Sequence, residues 1–114
     1  MRLKSWIWVS AYLRRCTVEG AFAVLRRRGA EDAGAIFVVV DRLDGTVALY
    51  GPAPQSLADE ETGERLFTLL PLKPEPTPLA AHERLQREID FDPDLWIVDV
   101  EDREGRHFLD LTRE

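Results

Sequence analysis

The 114-residue sequence contains one cysteine and two histidines, and these scarcities exclude several kinds of protein. A lone cysteine, Cys16, cannot build an internal disulfide framework and suits a reducing compartment, so a cytoplasmic protein is expected. His82 and His107 lie apart in the chain, and with Cys16 they match no zinc-ligand spacing. Gly29, Gly34, Gly45, Gly51, Gly63 and Gly105 stand singly at turns, and none forms a GxGxxG or P-loop pattern that would cradle phosphate. No apolar stretch approaches the ~20 residues of a membrane span. Residues 5–13, preceded by Arg2 and Lys4, have the outline of a short export signal. However, Arg14 and Arg15 occupy the positions where small residues would lead to a cleavage site. No metal or cofactor is called for, and no membrane association.

What is present is the composition of a soluble globular domain, 45% hydrophobic and 32% charged. A chain of this length forms one domain over residues 1–114 and buries enough surface to fold without staples. Charge is unevenly spread. Residues 1–30 hold seven Lys/Arg against one acid, while the remainder holds eight against twenty. Such a split marks either a polar partner or an internal dipole that pairs two halves of one fold.

Residues 3–9 are rich in aromatic and β-branched side chains and read as a strand. Val18, Ala21, Phe22 and Leu25 fall at helical spacing, so a helix is expected over 18–28, with Thr17 as N-cap and Gly29 as its stop. The apolar run 35–40 reads as a central strand, and Asp44-Gly45 turns it into a second strand over 46–50. Residues 55–64 read as a surface loop, 65–70 as a short strand, and the proline-rich 71–78 as a stiff connection. Thr77-Pro78 opens a helix to about residue 90 with Ala81, Leu85 and Ile89 on its buried line. Asp92-Pro93-Asp94 leads into a strand over 95–100, and residues 102–105 return it as a strand over 106–111. The expected fold is α+β in the order β-α-β-β-β-α-β-β, with a mainly antiparallel sheet and two helices packed on one face.

Asp90, Asp92, Asp94 and Glu101 fall at liganding positions of a calcium loop. Leu95 stands where that loop needs glycine, so a plain turn is the better reading. His107 lies near Asp99 and Glu101 in sequence, which suggests a general acid/base or a small-molecule site, yet no nucleophile accompanies it. Cys16 beside Arg14 and Arg15 has the surroundings of a reactive thiol, although a small core residue is simpler. Trp6, Trp8 and Tyr12 among the N-terminal arginines are the best case for RNA. The net charge of −6 weighs against nucleic acid.

Three blocks, WVSAYLRR at 8–15, GAIFVVVDRLDGTVALYGPAP at 34–54 and FDPDLWIVDVEDREGRHFLD at 91–110, together resemble a family of short bacterial proteins known as a domain of unknown function. The resemblance spans essentially the whole chain. It implies a single-domain bacterial protein without an assigned activity, so no catalytic residue carries over. The expected role is therefore protein binding, with an unknown partner or with itself. Arg14, Arg15, Arg26, Arg27 and Arg28 form one pole of the candidate surface. Asp92, Asp94, Asp102, Arg103, Glu104 and His107 form the other.

Overall fold

The computed structural model describes residues 3–54 and 65–112. The loop expected over 55–64 lies outside them. The first helix, α1, is Ser5–Val18. It buries Ser5, Val9, Tyr12 and Cys16, one residue per turn along a single line. Its end is a Schellman motif: Gly20 has φ +89°, its N–H donates to the Thr17 carbonyl, and the Ala21 N–H donates to the Cys16 carbonyl. A Cβ on Gly20 would meet nothing within 4 Å. Gly20→Ala should therefore cost only the left-handed backbone penalty, about 1 kcal/mol, read as a small shift in the urea midpoint.

The chain then returns as strand β1, Phe22–Arg27. This exchanges the element types expected for the first thirty residues: the expected strand is helical and much of the expected helix is a strand. The apolar spacing at 18, 21, 22 and 25 is coincidental, because Gly20 interrupts it.

β2, Ile36–Asp41, pairs antiparallel with β3, Val47–Pro52, through the turn at Asp44-Gly45. The Asp44 carboxylate accepts from the Thr46 N–H at 2.9 Å and hydroxyl at 2.6 Å, which fixes that turn. β4, Phe67–Leu70, pairs antiparallel with β3. The second helix, α2, is Pro78–Phe91, opened by Thr77, whose hydroxyl accepts from the Ala80 N–H. Burying Leu85 contributes about 1.5–3 kcal/mol. The Arg84–Glu88 pair at 2.9 Å adds only ~0.3–0.5 kcal/mol. The apolar line therefore holds this helix.

β5, Trp96–Glu101, inserts between β1, antiparallel, and β2, parallel. The sheet order is β1-β5-β2-β3-β4, so the fold is α+β with a mainly antiparallel sheet. Both sides of β5 are occupied, which leaves no place for a returning hairpin partner. The expected strand over 106–111 is accordingly not formed. That segment crosses the α1 face of the sheet instead, with Leu109 in the core and His107 against Tyr50, and makes a backbone bridge where Leu111 meets Phe67. The observed order is α-β-β-β-β-α-β.

Because alternate residues of a strand face opposite ways, β2 and β5 feed two cores. Ile36, Val38, Val40, Trp96, Val98 and Val100 pack with Val9, Tyr12 and Cys16 of α1. Phe37, Val39 and Ile97 pack with Ala81 and Leu85 of α2. The helices thus cover opposite faces, not one. The apolar run Ile36–Val40 of β2, buried at every position, is what a strand covered on both faces requires.

Candidate interaction surface

The two charge poles of the sequence interleave in space. Arg15 lies 3.2 Å from Glu19 and over the Phe108 ring, which Arg106 covers as well. Arg106 grips Asp102 through its guanidinium and its backbone N–H. Those hydrogen bonds hold the Asp102 carboxyl down at about 2. Arg103 and Glu104 are exposed in the same turn, and Glu104 lies 3.4 Å from Arg106. At the opposite end of β1, Arg26 forms a two-pronged pair with Asp99 at 2.7 and 2.8 Å. Arg28 sits 3.7 Å from Glu31 and over the Trp96 ring. Asp92 ends α2, and its carboxylate accepts from the Asp94 N–H. Arg14 is exposed on α1 and Arg27 is half-buried at the end of β1. The structure therefore brings Arg15 to the C-terminal turn through Phe108, and joins Arg26 to Asp99 and Arg28 to Glu31, so neither pole of the sequence forms one surface.

His107 does not meet Asp99 or Glu101. Asp99 points to the α2 side of the sheet, whereas His107 lies on the α1 side, its ring 5.0 Å from Tyr50 and its carbonyl accepting from the Tyr12 hydroxyl. The Leu109 N–H donates to its Nδ1 at 2.9 Å, so the neutral ring carries its proton on Nε2. The proposed acid/base pair is thus not assembled. Burial pushes the His107 pKa below the ordinary histidine value. The unfolded chain then takes up this proton at higher pH than the folded one. The neutral ring's contribution is complete above pH ~6.5 and declines as pH falls below it. Melting curves at about pH 7.5 and about pH 5.5 should show this loss, and His107→Asn, which keeps an acceptor near Leu109, should flatten it.

Cys16 is fully buried, and burial raises its thiol pKa despite Arg15 nearby, so it behaves as a core residue. Trp8 stacks on Tyr12 at 4.9 Å and packs on Phe67 at 5.2 Å. Trp8 and Tyr12 therefore serve the core, whereas Trp6 is 44% exposed on α1. Among the described residues, no group of three or more His, Cys, Asp or Glu has the geometry to hold a metal ion, and no helix is long and apolar enough to cross a membrane.

The sheet's two edges differ. On β4, the Phe67 N–H donates to the Asp110 carbonyl and the Thr112 N–H donates to the Phe67 carbonyl. The C-terminal segment thereby covers the start of that edge. No such segment lies along β1 among the described residues. There Phe22 is 60% exposed, Val24 42% and Leu25 36%. An apolar edge strand with free backbone groups is a template for another strand. Helical patterning hid this surface in the sequence, because a strand reading of 22–27 was needed to see it.

A family model matches residues 3–110, and its family is described as a protein of unknown function, DUF1491. The chain belongs to this family. It is similar to the solution structure of protein Atu0922 from A. tumefaciens, with 44% identity and a TM-score of 0.84 over 100% of this chain and 98% of that one. A crystal structure of a DUF1491 family protein from Caulobacter crescentus CB15 shares 36% identity and a TM-score of 0.80, covering 99% and 100% of the two chains. An NMR structure of a DUF1491 family protein from the same organism shares 37% identity and a TM-score of 0.78, with 99% of each chain covered. No curated protein matches.

Proposed function

We propose that this chain is a cytoplasmic bacterial protein-binding module that docks its partner on the open edge of the sheet. The observation that carries this reading is the strand β1, which no other described residue covers along its edge, with Phe22, Val24 and Leu25 exposed in a sheet whose other edge is occupied at its start. Strand addition supplies affinity through main-chain hydrogen bonds and selectivity through alternate side chains. The buried thiol of Cys16 agrees with a reducing compartment.

The test compares the tagged wild-type chain with Val24→Lys in pull-downs from a bacterial host, with and without nuclease. A lysine on an edge strand obstructs pairing without disturbing a core. A stoichiometric protein that survives nuclease and is lost with Val24→Lys is the expected result. Retention that is equal in both chains, or lost on nuclease treatment, overturns the reading.

A further inference from the structure

We infer that the strand seated on β1 is the β1 of a second copy, added antiparallel about a two-fold axis near Val24. This rests on the protein-binding reading above and names its partner.

The argument begins with which side chains share a face. Register places Phe22 beside Glu101, Val24 beside Asp99 and Arg27 beside Ile97, so Phe22, Val24, Arg27, Asp99 and Glu101 all lie on the α2 side of the sheet. Arg26 joins them through its bond to Asp99 at the bulge between Leu25 and Arg27. One end of this row is therefore acidic at Glu101, and the other is basic at Arg26 and Arg27.

Parallel addition of a second β1 would set arginines against arginines and Glu101 near Glu101. Antiparallel addition brings each Glu101 end toward the second copy's Arg26 and Arg27, twice by symmetry. Opposite charges across neighbouring strands stabilise and like charges destabilise. An axis near Val24 also sets Val24 against Val24 and lays each Phe22 ring beside the second copy's Arg26, a cation–π arrangement. A perpendicular two-fold keeps both α1 helices on one side and joins the two sheets into one. Each half of the surface is thus complementary to itself, as a two-fold interface demands. The bulge limits the pairing to a short stretch. The contact falls at the small end of interface sizes, and the dimer should be weak and concentration-dependent.

The test is sedimentation equilibrium of the full chain over a wide concentration range, with Val24→Lys, Glu101→Arg and Arg27→Glu. The wild type should dimerise reversibly, and each variant alone should be monomeric with an unchanged thermal midpoint, since all three side chains are at least partly exposed. Mixing Glu101→Arg with Arg27→Glu should restore dimers, because both charge contacts are re-formed in the mixed pair. A wild type that stays monomeric throughout, or dimers unaffected by Val24→Lys, overturns self-pairing. If the chain is monomeric yet the pull-down partner is lost with Val24→Lys, self-pairing fails while protein binding stands. If neither association depends on Val24, both fail.

Discussion

Gly29→Ala should lower stability by on the order of 3 kcal/mol, the upper end of the range for overpacking, seen as a fall of roughly 10 °C in the melting midpoint. The cause is steric and lies in the backbone. A Cβ on Gly29 would press onto the Asp94 carbonyl oxygen and come within 2.6 and 2.7 Å of the Leu95 carbonyl carbon and oxygen. Neither partner can withdraw. The Ala30 N–H donates to the Asp94 carbonyl at 2.9 Å, and the Ser5 and Trp6 N–H groups at the start of α1 donate to the Asp32 and Glu31 carbonyls of the same loop. The Ser5 hydroxyl, fully buried, donates to the Gly34 carbonyl at 2.6 Å. Residues 29–34 are thus clamped between the helix N-terminus and the Asp-Pro-Asp turn. Gly20→Ala is the control: it is strained in φ but meets open space, so it should cost several-fold less. Equal losses at the two positions would mean that the 29–34 loop yields, and that the clamp is looser than its hydrogen bonds indicate.

That clamp explains where sequence reading succeeded and where it stopped. Elements whose signals are local were legible. The Asp44-Gly45 turn, the Thr77-Pro78 helix start and the apolar run of β2 each carry their cause within a few residues. Residues 5–18 were not, because their buried line includes Ser5, a polar residue whose hydroxyl is satisfied by the Gly34 carbonyl and the Arg65 guanidinium, both far along the chain. Trp6, Ile7, Trp8 and Val9 have strand-forming side chains, and tertiary packing overrode that preference. Gly20 was the decisive local signal. Read as the end of one helix, it separates α1 from β1 and removes the false helical spacing across it.

The candidate surface was legible only in part. The arginine-rich and acid-rich segments were visible as charge, but their partners were not, since Arg26 and Asp99 are joined by the register of β1 on β5. The apparent nearness of His107 to Glu101 failed for a topological reason. β5 is flanked on both sides, so the chain after Asp102 leaves the sheet plane and carries His107 to the α1 face. An open edge is a property of strand order, and strand order is not a local property of any segment.

The other large effect is expected at Trp96. It is 1% exposed, its Nε1–H donates to the Ala30 carbonyl at 2.8 Å, and Arg28 lies over its ring. Trp96→Ala should cost about 3–5 kcal/mol, from lost burial and the cavity left behind. Trp96→Phe keeps much of the apolar contact but removes one of the two donors to the Ala30 carbonyl, the other being the Gly34 N–H at 3.3 Å, which costs about 0.5–1.5 kcal/mol. Urea unfolding followed by circular dichroism measures both, since fluorescence would lose one of its three tryptophans. A double-mutant cycle of Trp96→Ala with Gly34→Ala then tests the packing directly. A Cβ at Gly34 would lie 2.9 Å from Trp96 Cδ1 and Nε1, atoms that truncation to alanine removes and that a phenyl ring would only replace. The pair of alanine substitutions should therefore be less destabilising than the sum of its parts, because truncating Trp96 removes one of the two obstacles to alanine at 34. Strict additivity would mean that the Asp94 carbonyl alone excludes a side chain there, and that Trp96 holds the loop through its hydrogen bond and not through its shape.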